Sequence, residues 1–293
     1  MLPYPLSLGD DLDACLLAHG AVLLRDTGVG EVADFQALVA KLSGGAAAFD
    51  YAGGASPRKG MGAGVYTSTE YPPSVGLSLH NELSYADVYP SRLYFVCLVT
   101  PVAGGETTLG DSRRILARID PAVVEEFRSR KLCYLRNLSA DASGGYGWRE
   151  ALGTADPVQA EAVCRRIGAE FEWRPGGVLR MRQVRPATAF HAVTGEEVWF
   201  NQADGFHPSV LDSETYAQML AWAGSEDGFR LNVTYGDGGA IERAALDHVR
   251  QVIAAETIPH RWEEGDVLVL DNLLAAHGRR PFTGPRRIAL AMT

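Results

Sequence analysis

Apolar runs long enough to form buried strands recur from the beginning of the chain to its end. They are rich in β-branched and aromatic residues and are bounded by glycine, proline or aspartate, a composition typical of strands. The clearest example is RLYFVCLV at 92–99. The pattern predicts strands at 21–25, 92–99, 106–109, 132–138, 171–174, 178–184, 197–202, 266–271 and 286–292.

Between these strands lie segments in which apolar residues recur at helical spacing. Residues 32–42 (VADFQALVAKL) are amphipathic, and Pro157 is well placed in the first turn of a helix at 156–167. Further helices are predicted at 10–19, 113–119, 121–131, 213–223 and 240–255. No repeat or linker divides the chain. We therefore expect a mainly β fold with helical insertions, built as a single domain over 1–293 around one core of non-local strand pairing.

Residues 44–64 interrupt this pattern. The segment is rich in glycine and alanine and contains Tyr51, Arg58 and Lys59. A compact domain seldom holds so long a stretch without regular structure unless the stretch functions or is disordered. We favour an active-site lid loop, and disorder is the alternative.

Composition and charge narrow the class of protein. Of the 293 residues, 46% are hydrophobic and 22% charged, and the net charge of −9 argues against nucleic acid or an anionic membrane as the main partner. No run of eighteen apolar residues and no signal-peptide pattern is present. The four cysteines lie far apart, which fits a reducing compartment. We expect a cytoplasmic protein.

His80 and Glu82 lie in the segment GLSLHNELSYA at 76–86 and form the first half of a candidate metal site. Side chains two positions apart on an extended strand leave on the same face, so the imidazole and the carboxylate can reach one point. Two histidines and one carboxylate are the ligand set of non-haem Fe(II) oxygenases. Taken alone, the pair is better explained as a hydrogen-bonded strand histidine beside a rim carboxylate.

The closing segment supplies the second half. His277 follows the buried strand at 266–271, and a last strand begins ten residues later. Alternation places Arg287 on one face with Ala289 and Ala291, and turns Arg286 outward. A guanidinium inside a barrel needs an anionic partner, because an unpaired buried charge is costly. We therefore predict that Arg287 binds an anionic ligand.

These motifs together resemble a known family. The motifs are His80-x-Glu82, Gly104-Gly105-Glu106-Thr107, Asp271-Asn272, His277-Gly278-Arg279 and Arg286-Arg287-Ile288. In order and spacing they resemble the taurine dioxygenase and clavaminate synthase superfamily of Fe(II)/2-oxoglutarate-dependent oxygenases. The His-Asn-Glu form is similar to the branch of syringomycin-biosynthesis-type hydroxylases. The likeness extends over nearly the whole chain.

The resemblance implies a double-stranded β-helix (jelly-roll) core and a set of residue roles. His80, Glu82 and His277 would bind Fe(II), leaving positions for 2-oxoglutarate and O2. Arg287 would pair with the 5-carboxylate of 2-oxoglutarate, and Thr107 would donate a hydrogen bond to it. The enzyme would hydroxylate an unactivated C–H bond of an amino acid or an amino-acid-derived natural product, free or bound to a carrier protein. With Glu82 present, halogenation is not expected.

Several points stay open at this stage. Some members of the family carry a second arginine where this chain has Ala291. Arg58 either binds a substrate carboxylate or is a solvated loop cation. His207 is either a substrate contact or a structural histidine. The remaining histidines are expected at the surface or in packing. The alternative function is a metal-binding jelly roll without oxygenase turnover, either a cupin-like isomerase or hydrolase or a sensor.

Overall fold

The computed structural model describes residues 3–7, 9–62, 64–140 and 146–293. The helices are α1 Leu12–His19, α2 Val32–Leu42, α3 Ser112–Arg118, α4 Pro121–Arg130, α5 Trp148–Leu152, α6 Pro157–Arg166, α7 Ala203–Phe206, α8 Ser213–Ala223 and α9 Arg243–Glu256. In the first half of the chain the strands are β1 Tyr4–Pro5, β2 Ala21–Leu24, β3 Gly60–Gly62, β4 Val65–Thr67, β5 Leu77–His80, β6 Arg92–Val99, β7 Ala103–Gly104, β8 Thr107–Asp111 and β9 Leu132–Leu138. The later strands are β10 Glu170–Arg174, β11 Val178–Arg185, β12 Thr188–Phe190, β13 Glu197–Trp199, β14 Leu231–Tyr235, β15 Ile258–His260, β16 Val267–Asp271, β17 Ala275–Arg279, β18 Phe282–Thr283 and β19 Arg287–Met292.

Helix starts follow from local capping chemistry. The side chains of Asp111, Asp120, Asp156 and Asp212 accept hydrogen bonds from the first free N–H groups of α3, α4, α6 and α8. Proline occupies the first turn of α4 and of α6, where its missing N–H costs nothing. The helices predicted at 113–119, 121–131, 156–167 and 213–223 are confirmed to within a residue at each end. The helix predicted at 240–255 begins later, at Arg243.

Two sheets face each other across the core. One has the strand order β1-β2-β16-β6-β19-β4-β3 and the other the order β15-β8-β17-β5. A buried cluster joins them, with Phe95 and Ile288 from the larger sheet and Leu109 and Ala275 from the smaller one. Partners such as β6 and β19, or β5 and β17, come from distant parts of the chain. The predicted core of non-local strand pairing is therefore confirmed.

The face of the last strand that points into the core differs from the prediction. A register shift between Arg287 and Ile288 pairs Arg287 with Val99 but Ile288 with Cys97. Ile288 and the residues alternating with it point between the two sheets. Ala289 and Ala291 instead pack in a cluster on the opposite face of the sheet, with side chains of α1 and α2. The alternation itself holds, since Arg286 and Ile288 line one cavity and Ile288, Leu290 and Met292 share one cluster. The prediction that Ala289 and Ala291 line an open interior is wrong, because their face packs against the helices and the opposite face points inward.

The segment 44–64 is tied to the rest of the molecule at several points. The amide of Phe49 donates to Met292 O at 2.9 Å, that of Gly53 to Ala151 O at 2.8 Å, and that of Ala55 to the Tyr85 hydroxyl at 2.7 Å. In addition, β3 pairs with β4. Its movement as a lid stays a prediction. Among the described residues, none of the helices is both long enough and apolar enough to cross a bilayer.

Gly278 occupies a place on β17 where the flanking strands leave no room for a side chain. An added Cβ would lie 2.5 Å from Leu77 O and 2.6 Å from Thr108 Oγ1. We expect Gly278→Ala to lower the free energy of unfolding by about 1–3 kcal/mol, because β5 or β8 must move away. Urea denaturation measures this. The matched control is Gly30→Ala, whose Cβ meets nothing within 4 Å; equal losses in the two variants would contradict the packing argument.

Candidate metal centre and adjoining cavities

Strand pairing brings two histidines together. His80 at the end of β5 is the direct partner of His277 in the centre of β17, and their ring centroids are 4.3 Å apart. Glu82 lies beyond the end of β5, in a turn where Leu83 has a φ of +56°. The carboxylate therefore reaches the histidines from a turn and not, as predicted, from the same strand.

Glu82 and the two histidines form a candidate metal-ligand cluster, called the metal-ligand cluster below. One donor atom from each residue lies within 4.8 Å of the other two, and His277 Nε2 is 3.7 Å from Glu82 Oε2. His80 Nδ1 lies 2.9 Å from Ser78 O, a hydrogen-bond acceptor, so Nδ1 carries the proton. The lone pair of Nε2 is then free to bind a metal. Burial lowers the pKa of His80 and lowers that of His277 well below its usual value. Two neutral imidazoles and a carboxylate suit a divalent transition metal.

Asn272 holds the turn that carries Glu82. Its side-chain oxygen accepts from Glu82 N at 2.7 Å, and its side-chain nitrogen donates to Glu82 O at 3.0 Å and to Pro90 O at 2.8 Å. The Asn81 side chain points the other way, donating to Asn272 O at 2.7 Å and to Ser112 Oγ at 3.1 Å. Asn272 is fully buried, so these bonds compete with little water.

Arg58 reaches the cluster from the segment 44–64. Its Nη2 lies 2.5 Å from Glu82 Oε2, and its side chain is only 2% exposed. Although burial opposes a charge, the neighbouring Glu82 and Tyr51 raise the net pKa of Arg58. The alternative of a solvated loop cation is therefore wrong. Arg58 compensates the negative charge of the metal-ligand cluster.

Arg286 lines a narrow cavity next to the two histidines. The cavity is also lined by Thr107 and Arg279. Arg286 Nε donates to Gly105 O at 3.1 Å and Nη1 to Ser68 Oγ at 3.3 Å. No carboxylate among the described residues lies within 4.0 Å of this guanidinium, and burial lowers its pKa to about 10. It is a half-buried cation without an anionic partner among the described residues.

Arg287 lies elsewhere. Its side chain is exposed and it does not line the cavity in the described structure. The predicted orientation of Arg286 and Arg287 is therefore reversed. Residues alternate along 286–292 as predicted, but the inward face is the one that carries Arg286 and Ile288, while Ala289 and Ala291 pack against the helices on the far face.

Thr107 is oriented by a residue that the sequence did not single out. Trp262 Nε1 donates to Thr107 Oγ1 at 3.0 Å, and both side chains are buried. Because the oxygen accepts that bond, the hydroxyl hydrogen is available to a ligand in the cavity. Arg279, in contrast, is occupied by the backbone, donating to the carbonyl oxygens of Thr69, Tyr71, Pro72 and Val75.

A larger cavity of about 400 Å³ opens on the other side of the metal-ligand cluster. Its wall contains His80 and Glu82 and is largely apolar elsewhere, with Tyr85 and Phe206 among the lining residues. Asp204 adds a further carboxyl group. The size and lining are those of a small-molecule site.

His207 is not among the residues that line this cavity in the described chain. Its Nδ1 accepts from Ser209 N at 3.1 Å and lies 2.9 Å from Ser209 Oγ, which is the arrangement of a structural histidine. The structure does not support it as a substrate contact. His191 and His248 are likewise held by Asp271 and by the amide of Asp120.

A comparison with models of known protein families finds a match. The model described as "Taurine catabolism dioxygenase TauD, TfdA family" matches residues 2–293. The dapdiamide synthesis protein DdaC of Enterobacter agglomerans is 34% identical over 96% of this chain and 84% of its own length. A clavaminate synthase-like protein of Arabidopsis thaliana is 30% identical over 96% of this chain and 83% of its own.

A solved structure shares the fold. PvcB, described as an Fe, alpha-ketoglutarate dependent oxygenase from an isonitrile synthetic pathway, superposes with a TM-score of 0.52 at 15% identity, over 96% of this chain and 77% of its own. The expected jelly-roll fold class is thereby confirmed.

The Asn272 contacts make a specific prediction about the metal centre. Asn272→Ala removes three hydrogen bonds around the Glu82 turn, so we expect the affinity for Fe(II) to fall about tenfold or more, by isothermal titration. Asn137→Ala is the matched control, because its side chain bonds to Asp227 O and Phe229 O and to neither Asn272 nor the Glu82 turn. Iron affinity unchanged in the Asn272 variant would show that the turn holds its position without this side chain.

Proposed function

Because the chain belongs to the taurine catabolism dioxygenase TauD, TfdA family, it is a 2-oxoglutarate-dependent non-haem iron dioxygenase, and we propose that it hydroxylates an amino acid or a product derived from one. Family members use Fe(II), 2-oxoglutarate and O2. The residue assignment rests on two neighbouring features. One is the cluster of His80, Glu82 and His277, and the other is the adjoining cavity, whose Arg286 lacks an anionic partner among the described residues. The alternative of a jelly roll without oxygenase turnover is wrong.

In this proposal His80, Glu82 and His277 would hold Fe(II). Bound Fe(II), 2-oxoglutarate and O2 together supply the oxidation of a C–H bond, with release of succinate and CO2. The burial that keeps both imidazoles neutral leaves their lone pairs free for the metal at neutral pH. Glu82 supplies the anionic ligand, and its presence argues against a site for a halide.

We reassign the binding of the 2-oxoglutarate 5-carboxylate from Arg287 to Arg286. A guanidinium offers two parallel N–H donors that match a carboxylate. Arg286 lines the cavity next to both histidines and lacks an anionic partner, and the Thr107 hydroxyl has a hydrogen to donate. Ala291 lies in the cluster on the far face of the sheet, so it has no part in binding the 1-carboxylate.

The substrate class rests on the larger cavity and on the relatives. DdaC is named for dapdiamide synthesis, which supports a natural-product substrate. Arg58 remains our candidate for a substrate anion, although it lines the narrow cavity and already bonds to Glu82. The proposal has further parts. The substrate is free or presented on a carrier protein, and the chain belongs to the syringomycin-type branch. The chain is one domain, in which the 44–64 loop opens as a lid.

The metal assignment has a direct test. We expect the chain to bind one Fe(II), and His277→Ala to weaken that binding by about tenfold or more, because an inner ligand is lost. His207→Ala is the matched control, since His207 lies outside the cluster. Titration of the metal-free protein with Fe(II) without oxygen measures both. Unchanged binding in the His277 variant would remove that residue from the site.

The cosubstrate assignment separates two neighbouring arginines. Loss of a buried charge pair costs about 2–5 kcal/mol, so we expect Arg286→Ala to raise the apparent dissociation constant for 2-oxoglutarate roughly thirtyfold or more. Arg287→Ala, at an exposed position, should change it less than about twofold. The 2-oxoglutarate dependence of succinate release in both variants is the measurement. A greater loss in the Arg287 variant would restore the original assignment.

A further inference from the structure

Asp204 contributes a carboxyl group to the larger cavity. The residue lies on α7 and is only 4% exposed. The other carboxylate in the cavity wall belongs to Glu82, which already bonds to Arg58 and lies in the metal-ligand cluster. Among the lining residues that the structure describes, Asp204 is therefore the acidic group left without a partner of opposite charge.

The nearest cation does not neutralise this carboxyl group. Arg250 Nη2 donates to the backbone oxygen of Asp204 at 2.8 Å and to Ser209 Oγ at 2.9 Å, while Nη1 donates to Asp247 Oδ1 at 2.9 Å. No side-chain cation of the described residues lies within 4.0 Å of the Asp204 carboxylate oxygens. Arg250 is thus held by the backbone of α7 and by its own acidic neighbour on α9.

A buried carboxyl group in this position is costly to ionise. Burial raises the pKa of Asp204 to about 6, and Arg250 and the local backbone N–H groups offset only part of that effect. Even so, most of the group is ionised at pH 7 or above. An unpaired charge in an apolar wall weakens the folded state, so the position is explained best by a ligand that supplies the missing positive charge.

We propose that Asp204 binds an ammonium group of the substrate, so that the enzyme acts on a molecule with a free primary amine. The inference rests on the proposed function and narrows its substrate class. The free amine can belong to an amino acid in solution or to an aminoacyl group carried as a thioester. A neutral amide in the same place would leave the carboxylate unpaired, which is the basis of strong discrimination against it.

The test compares matched amines and amides. Succinate release is measured with L-amino acids, with their N-acetyl derivatives, and with aminoacyl thioesters of N-acetylcysteamine. We expect at least one free amine to raise wild-type succinate release and its N-acetyl counterpart to be at least about tenfold poorer in kcat/KM. Stimulation by the thioester alone would identify the carrier-bound form as the source of the amine.

Two variants separate charge from structure. Asp204→Asn can still accept the backbone N–H groups but has no charge, so we expect the preference for amine over amide to fall to about one, and Asp204→Glu to restore part of it. If Asp204→Asn folds, we also expect it to melt about 2 °C or more above wild type at pH 8, because the buried charge is gone.

Each other result overturns the inference. Equal stimulation by amines and amides, an unchanged preference in Asp204→Asn, or no wild-type stimulation by any amine would show that Asp204 does not bind an ammonium group. Wild-type protein that converts no 2-oxoglutarate to succinate under any condition would instead contradict the proposed function. The two failures are therefore distinguishable.

Discussion

The pairing of β17 with β5 brings the candidate metal centre together, because it places His277 directly opposite His80. Each histidine comes from a different end of the chain, so neither can position the other until the smaller sheet has formed. Folding of the whole chain supplies the free energy that offsets the entropy lost in forming these non-local contacts. A metal that binds only this arrangement stabilises the folded state in return. The position of Glu82 depends on different contacts, the hydrogen bonds between the Asn272 side chain and the backbone of Glu82.

Three arginines line the cavity beside the histidines, and their partners distinguish their roles. Arg58 bonds to Glu82, and Arg279 bonds to a series of backbone carbonyl oxygens. Arg286 bonds only to one carbonyl and one hydroxyl oxygen among the described residues. A buried guanidinium loses the solvation of its charge and recovers little of it from neutral acceptors. Arg286 is therefore the one with the most to gain from a ligand carboxylate.

The fold and the convergence of His80, Glu82 and His277 could be predicted from the sequence for identifiable reasons. The predicted β-core was recoverable because strands such as β6 and β16 are continuous apolar runs, and the helices because aspartate and proline mark their starts. The orientations of Arg286 and Arg287 were predicted the wrong way round, because small residues can either leave space for a ligand or allow close packing, and here Ala289 and Ala291 pack beneath the helices. Asp204 carried no signal, because its burial depends on how α7 packs against α9 and β14.

Charge also sorts the two ligands between the two cavities. The cavities share His80, Leu77 and Thr69, so they meet at the metal centre. The narrow one has the unpaired cation Arg286 and the larger one the unpaired carboxyl group of Asp204. A dianionic cosubstrate is attracted to the first and repelled from the second, and a cationic substrate experiences the reverse. Such repulsion contributes to specificity as much as attraction does. Both charges weaken the empty fold, and under the proposed function the ligands that they select offset that destabilisation.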